Sequence, residues 1–465
     1  MRDEIIEGQI KRAREAFVLD IRDAKGQAIC DLASSHHGNI PCHIFSITHG
    51  SFNICVCVQF DNAPVGAPPV RWVVRIPFPA RVPWIDEKID SEVATMMYMA
   101  EKTTIPVPKI HAWSYEADSP IGHAFIIMDY IQGVPLSALH FRMSEKWLPT
   151  SNGRSPALAR AYDQLADVFI QLRGLEFPEI GALGLPTPES PGIAIRHRPL
   201  SVEVALQEVE HLDPTFLFPE KTTFKTTRDY LTALVKLGFN RVRKTRNLGM
   251  DSWEGVSEVI FAYEEFYKKV RNEWTYYFNK NKTNEGPFVL MHGDMALHGS
   301  NLLWDEKMNL VAVIDWEWCH TVPVSCFTPP TWLNGFFPNP IRQMCIFGIF
   351  YTAEINIFCD TIAKRAQMHF PKSRLAEEWR DLPREPYRSL LLGLFYPETI
   401  GEIYWDFMIF QIFNRPQSEV ADRRLKKYLE RPDIKAFIDR RMADQEKYNE
   451  EIDADIDEYG DSSWV

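Results

Sequence analysis

No pair of cysteines in this sequence has the spacing of a metal or redox site. The eight cysteines are scattered, with neither a Cys-x-x-Cys pair nor a Cys/His cluster at zinc-ligand spacing. Cys55 and Cys57 are the one close pair, and an alternating strand would put both on one face. The expectation is reduced, mostly buried thiols in a cytoplasmic protein. Positive charge is also in short supply. Lys and Arg number 51 against 63 Asp and Glu, a net charge of −12, so the basic footprint of a general nucleic-acid binder is missing. No window of about 18 residues is free of charge and apolar enough to span a membrane. The best candidate, Met344 to Cys359, carries Glu354 and Asn356 and reads as a buried helix. The opening Met-Arg-Asp-Glu-Ile-Ile-Glu puts no apolar core behind a basic start, so no signal peptide is expected. Internal repeats and long low-complexity linkers are missing too. These absences leave a soluble globular chain with neither nucleic acid nor membrane as a partner. Its 465 residues, 45% hydrophobic and 12% aromatic, suffice for a large core split into about two or three domains or two large lobes.

What is present changes its period along the chain. Ile6, Ile10, Ala13 and Phe17 recur at helical steps, so residues 1–40 read as an added helical segment. From Ile44 the period becomes two. A strand, a small turn at Gly50-Ser51 and a second strand run to Phe60, and Arg71–Ile76 is a third strand. A helix follows over Asp90–Ala100, with Asp90 or Ser91 as its cap. Ile110–Ser114 and Ala124–Met128 are two more strands. Beyond Ile131 helical periods dominate, over Pro156–Arg173, Val202–Leu212, Thr226–Leu237, Val256–Phe278, Pro340–Phe370, Arg388–Leu394, Glu402–Asn414 and from Pro432 on. The expected division is a helical extension (1–40), a sheet-based lobe (41–131), a helical lobe (132–440) and a solvated acidic tail (441–465).

The stretch with the most chemistry is Phe288–Glu317. Two short apolar runs, Phe288–Met291 and Leu310–Ile314, each lead into an acidic residue, Asp294 and Asp315. Between them Asn301 opens a third run, Leu302–Trp304. Apolar runs of this length bounded by turn residues read as buried strands. Two carboxylates and an amide therefore stand at strand ends, facing a common cleft. Such hard oxygen ligands suit Mg²⁺, which fills its other positions with phosphate oxygens and water.

The order Asp, then Asn, then a second Asp after a strand is the order of parts in protein-kinase-like phosphoryl transfer. The His292-Gly293-Asp294 loop, the Leu-His-Gly-Ser-Asn run ending at Asn301 and the Ile-Asp-Trp-Glu segment at 314–317 resemble the aminoglycoside phosphotransferase and choline kinase-like family. Trp-Val-Val-Arg-Ile-Pro at 72–77, Ser-Glu-Val-Ala-Thr-Met at 91–96 and Ile-Pro-Val-Pro-Lys-Ile at 105–110 resemble its fungal-type members in particular. The resemblance implies an α+β, protein-kinase-like two-lobed fold. It has a small antiparallel-sheet N-lobe and a mainly helical C-lobe, with ATP and Mg²⁺ between them. It implies that Asp294 is the catalytic base and that Asn301 and Asp315 are the metal ligands. His292 supports the loop by hydrogen bonding, and Glu317 either assists the metal or binds local backbone. Arg75 stands where kinases carry the phosphate-binding lysine, and Glu92 on the next helix is its partner. The turn with Gly50, Ser51 and Asn53 is the phosphate loop, although it lacks a full Gly-x-Gly-x-x-Gly. Met128 and Tyr130 belong to the hinge that meets adenine.

A small molecule with a hydroxyl group is the implied acceptor. Net acidity, with Glu317, Trp318, Trp332 and Phe337, suits a cationic one; ordinary core aromatics explain these rings as well. No Ala-Pro-Glu segment follows Asp315, so a peptide platform is not expected. No motif specifies the acceptor or an oligomeric state. One departure from the family bears on activity. Asn301 lies seven residues after Asp294, two more than in the kinase catalytic loop, as if Met295-Ala296 were inserted. The bulge is either absorbed by the loop, or it moves Asn301 off the metal and leaves a silent nucleotide-binding or scaffold protein.

Overall fold

Two helices open the chain, α1 (Glu4–Asp23) and α2 (Gly26–His36), where the sequence reads as one helical segment. The Asp3 side chain caps α1 by accepting from the Ile6 N–H. The computed structural model describes residues 2–61, 66, 68–139, 156–272, 283–295, 301–330, 333, 341–382, 387–409 and 419–459. After α2 come strands β1 (Cys42–His49), β2 (Asn53–Phe60) and β3 (Arg71–Pro77), helix α3 (Ile85–Lys102), and strands β4 (Ile110–Ser114) and β5 (Phe125–Asp129). The five strands form one antiparallel sheet in the order β1-β2-β3-β5-β4.

Side-chain alternation on β3 sets up the site. Val74 and Ile76 are fully buried in a core shared with Ile29 and Leu32 of α2 and Ile21 of α1. Arg75 between them points to the opposite face, toward α3. The sequence places the start of α3 too late. The helix begins at Ile85, directly after Pro83 and Trp84. Asp90 is therefore not a cap. Its carboxylate lies inside the helix and accepts from the Tyr115 hydroxyl, the Leu185 N–H and the His197 ring.

The remainder is mainly helical, with short strands in between. Helix α4 (Pro156–Gly174) starts on a proline, whose missing N–H costs nothing there. Then follow β6 (Glu176–Phe177), β7 (Ala182–Gly184), β8 (Ala194–His197) and helices α5 (Val202–Val209), α6 (Thr227–Lys244) and α7 (Trp253–Asn272). Ser201 and Thr226 cap α5 and α6 with their hydroxyls. Strands β9 (Phe288–Met291), β10 (Leu302–Trp304), β11 (Leu310–Val313) and β12 (His320–Pro323) hold the motif stretch. Strand β9 sits between β12 and β6, and β10 pairs with β11. The chain then continues through α8 (Ile341–His369), α9 (Leu375–Asp381), α10 (Tyr387–Phe395), α11 (Ile400–Ile403), α12 (Glu419–Leu429) and α13 (Pro432–Tyr459). One large core joins these helices to α3 and to the β9 and β12 strands.

The acidic segment expected as a solvated tail is helical as far as Tyr459. It docks on the amino terminus. The Glu4 N–H donates to the Tyr448 hydroxyl at 2.8 Å, and Arg246 bridges Asp3 and Glu451. No described helix is long and apolar enough to cross a membrane. The architecture is α+β, an antiparallel-sheet amino-terminal region followed by a helical remainder.

Candidate functional site

Strand β9 delivers His292 to the end of the core, and the chain turns at Gly293. A Cβ on Gly293 would lie 2.7 Å from the Trp318 carbonyl oxygen and 3.1 Å from its Cβ. Glycine is therefore required here by close approach of two backbones. The buried His292 ring bridges the same elements. Its Nε2 lies 3.0 Å from the Ile314 carbonyl, and the Asp294 N–H donates to its Nδ1 at 3.3 Å. A carbonyl can only accept and an N–H can only donate, so these partners select the neutral Nε2–H tautomer. Burial lowers the His292 pKa to about 4, which keeps it neutral. It is a loop brace, not a proton carrier.

Asn301 lies beside Asp294 in spite of the longer spacing. Its Nδ2 donates to the Asp294 backbone carbonyl at 2.7 Å and to the Asp294 carboxylate at 3.0 Å. The Asn301 carbonyl accepts from the Ile314 N–H at 3.0 Å. Ile314 thus ties His292 through its C=O and Asn301 through its N–H, and the next residue is Asp315. Residues 296–300, including Ala296, lie outside the described residues. The Asp294 carboxyl is raised above the ordinary carboxylate value, first by desolvation, with the Asn301 hydrogen bond opposing and the charge of Glu317 adding to it.

Asp315 adopts φ +67°, in the left-handed region, where Asp is tolerated better than most residues. This turn swings its carboxylate back onto Arg75, which pairs with Asp315 through one guanidinium nitrogen and with Glu92 through another. A second cation, Lys88, is buried in the same cluster. Its ammonium lies 2.6 Å from Glu317 and 3.2 Å from Glu92, and it donates to the Asn53 amide oxygen at 3.0 Å. Arg75 also approaches Glu317, at 3.4 Å. Three carboxylates, Glu92, Asp315 and Glu317, thus face two cations. Glu317, gripped by both cations and by Asn53, has a lowered pKa although burial opposes this. Asp315 carries the surplus negative charge: burial raises its pKa, the neighbouring Glu317 raises it further, and Arg75 only partly offsets them.

The surplus charge bears on metal binding. Among the described residues no group of three His, Cys, Asp or Glu side chains could hold a metal ion. Asp315 and the Asn301 amide oxygen are nevertheless hard donors next to uncompensated negative charge. That set fits Mg²⁺, which needs one or two protein carboxylates when phosphate and water complete its shell.

The other expected site residues divide. Gly50 and Ser51 stand exposed at the β1–β2 turn, closed by a hydrogen bond from the Gly50 N–H to the Asn53 carbonyl at 3.0 Å. The Asn53 side chain is not open to phosphate, in contrast to the exposed turn before it. It is buried and bridges Lys88 and Glu317, donating to the latter at 2.9 Å. The Oε2 atom of Glu317 is taken up by Asn53, Lys88 and Arg75. Tyr130 follows β5, and its N–H is spent on the Arg71 carbonyl at 3.0 Å. That backbone donor is therefore not open to adenine. Met128 is paired in β5 between Val73 and Ile110 and packs against the main core. Trp318 packs edge-on against Phe52, linking the β1–β2 turn to the Asp315 turn. Trp332 and Phe337 lie outside the described residues. Sequence reasoning missed Lys88, whose signal was its spacing to Glu92, one helical turn away on α3.

A family model for the phosphotransferase enzyme family matches residues 60–326, more than half of the chain. The chain belongs to the phosphotransferase enzyme family. The matched range holds Arg75, Lys88, Glu92 and the whole 288–317 stretch, while the Gly50–Asn53 turn lies ahead of it. The chain is 25% identical over 252 residues to clavilactone A biosynthesis cluster protein Y of Ampulloclitocybe clavipes, 54% of each chain. It is 31% identical over 99 residues to altered inheritance of mitochondria protein 9, mitochondrial, of Meyerozyma guilliermondii, 21% of this chain and 15% of the other. The chain spans about half the length, or less, of the curated relatives it matches. Among solved structures it is similar to a thermostable mutant of aminoglycoside phosphotransferase APH(4)-Ia, with a TM-score of 0.40 and 16% identity over 81% of this chain and 93% of that one. It is also similar to Plasmodium vivax ethanolamine kinase, with a TM-score of 0.31 and 12% identity over 87% and 81% of the two chains.

Proposed function

We propose that this phosphotransferase moves the γ-phosphate of ATP to a hydroxyl group of a small molecule. ATP would lie against the sheet-based lobe, residues 41–131, and the acceptor would lie in the helical lobe, residues 132–440. A bond forms between the acceptor oxygen and the γ-phosphorus, and the bond from that phosphorus to the β,γ-bridging oxygen breaks. ADP leaves, and the hydroxyl proton passes to Asp294, whose raised pKa favours proton acceptance. Arg75, oriented by Glu92, is the cation for the phosphate tail. Asn301 and Asp315 would hold Mg²⁺, which when bound neutralises charge on the phosphates.

The observation that carries this reading is the pair of hydrogen bonds from Asn301 to Asp294. They keep the amide in reach of the proposed base despite the seven-residue spacing. In single-turnover assays with ATP, Mg²⁺ and a metabolite library, Asp294→Asn should lower transfer by about 10²–10⁴-fold with ATP affinity unchanged. Equal rates for both proteins would remove Asp294 from the mechanism.

The silent reading, a nucleotide-binding or scaffold protein, is favoured by one observation. Arg75 already sits on the proposed metal ligand Asp315. Thermal shift with ATP and Mg²⁺, followed by single-turnover ATP consumption, separates the two. Binding without turnover across the library supports the silent protein.

A further inference from the structure

Beside the Asp294 loop lies a cavity of about 330 Å³, at the small end of small-molecule sites. Both chain neighbours of Asp294, Gly293 and Met295, line it. So does Tyr396, whose phenol is raised to about 12 by burial, with the negative charge of Asp294 adding to the effect. The wall is built chiefly from apolar side chains, among them Phe169, Leu206, Met295, Trp318, Phe327 and Phe395. Met295 is the first of the two residues by which the Asp294–Asn301 connection exceeds the kinase loop. It is 7% exposed. The longer loop therefore adds an apolar wall next to the proposed base.

The charged groups on this wall balance, two acids against two bases: Glu203 and Glu398, Arg2 and Arg388. Glu203 is committed to Arg241 at 2.6 Å. Glu398 lies 4.0 Å from Arg2, and burial raises its pKa, which disfavours its charged form. The imidazoles of His292 and His320 line the cavity as well, and burial holds both neutral, each near 4. Glu317, the acid that a cationic acceptor would have used, is locked into the Arg75–Lys88 cluster. A cationic ligand would lose its hydration here and find little beyond Glu398, 4.0 Å from Arg2 and disfavoured in its charged form by burial, a costly exchange. An uncharged ring or chain would replace water against aromatic and aliphatic walls, with a gain of about 25 cal/mol per Å².

Resting on the phosphotransfer reading, we infer that the acceptor is an uncharged, largely apolar alcohol or phenol held in this cavity, with Met295 as a specificity-determining wall. Binding is measured with the full chain by calorimetry and by quenching of tryptophan fluorescence. The probes are 2-naphthol and cyclohexylmethanol as neutral compounds, and choline and kanamycin as cations. Transfer from ATP is followed on the same four probes. The expected result is saturable binding of a neutral probe and none of the cations. Met295→Trp, which fills the cavity, should weaken the bound probe by about tenfold or more. Its ATP affinity and Tm should stay close to wild type; Met295→Leu should retain binding if the tryptophan variant fails to fold. Absence of neutral-probe binding overturns the inference, whatever the cations do. So does neutral binding that ignores Met295→Trp. Phosphorylation of choline or kanamycin without neutral binding overturns the apolar acceptor and leaves the phosphotransfer reading standing. Binding of a neutral probe without transfer on any probe counts against the phosphotransfer reading and leaves only the cavity's apolar preference standing.

Discussion

Two buried ionic networks in this chain invite comparison. One surrounds Arg75 at the cleft, the other Arg241 in the helical remainder. Arg241 lies on α6, fully buried, 2.6 Å from Glu203 and 2.8 Å from Glu210. Gln207 donates to Glu203, and Asn240 donates to Gln207. Arg2 stands 3.9 Å from Glu210 and 4.0 Å from Glu398, so here too two cations meet three acids within a few ångströms. This network ties α5 and its last turn to α6, and the two acids on Arg241 itself are almost wholly covered. The Arg75 network differs in two respects. It joins β2, β3, α3 and the Asp315 turn, and its partly exposed acid is bound by the central arginine itself, whereas Glu398 reaches only Arg2. Asp315 is 23% exposed on its side chain against 1% and 2% for Glu92 and Glu317. An acid that the network's own arginine holds at the edge is placed where an incoming cation can take it up.

The largest expected effect follows from breaking each network once. Glu317→Gln leaves Lys88 and Arg75 short of a partner, and Arg241→Met strands Glu203 and Glu210. Each should destabilise the fold by about 3–5 kcal/mol, the usual effect of removing one partner of a buried ion pair. Chemical denaturation measures this. The variants should part on ligand binding. Titrated well below the transition, Glu317→Gln should lose most of its affinity for ATP with Mg²⁺, because Arg75, Asp315 and Asn53 lose their common anchor. Arg241→Met should keep that affinity. Equal losses in both variants would make the Arg75 network merely structural.

A smaller effect is expected at Gly293, where the cleft turn meets the Asp294 loop. Gly293→Ala forces a methyl group to within 2.7 Å of the Trp318 carbonyl. Backbone cannot yield as a flexible side chain does, so the loop must shift, at a cost of about 1–3 kcal/mol. The shift moves Asp294, and displacements near 1 Å can lower turnover by about 10²-fold. Tm and single-turnover rate together test it. An alanine variant with wild-type Tm and rate would show that the two turns tolerate separation.

Much of this site was legible in the sequence because strands end abruptly. Apolar runs that stop at Asp294 and Asp315 leave little freedom in where those carboxylates go, and the alternation on β3 assigns Arg75 to the face away from Val74 and Ile76. The change of period near Ile44 marked off the strand-bearing region, and the family resemblance implied the α+β class. What escaped was side-chain traffic between elements. Asp90 reads as a helix cap because the local pattern cannot reveal that Pro83 and Trp84 already precede a helical turn. Lys88 then falls outside the expected helix, and its one-turn relation to Glu92 goes unseen. Asn53 looks like a loop residue near phosphate, whereas its partners, Lys88 and Glu317, are distant in sequence. The acidic end reads as solvated since its charges repel locally. Tertiary partners such as Arg246 offset that repulsion.

The smallest effect is also the most specific to the uncompensated carboxylate. Asp315 titrates above its unfolded value, so across the intervening pH window the folded chain retains a proton that the unfolded chain has released. The contribution of this group to stability is therefore present at low pH and declines as pH rises through its folded pKa. Asp315→Asn removes the titration. The variant should gain on wild type in Tm as pH goes from about 5 to about 8, when no metal is added. Mg²⁺ with ATP should reverse the order. The cation requires the ionised carboxylate, so its stabilisation of wild type should grow with pH over the same window and be small in Asp315→Asn at every pH. A difference between the two proteins that does not change with pH would mean that Arg75 keeps Asp315 ionised throughout. The contrast between the two networks would then rest only on which acid each arginine holds at its edge.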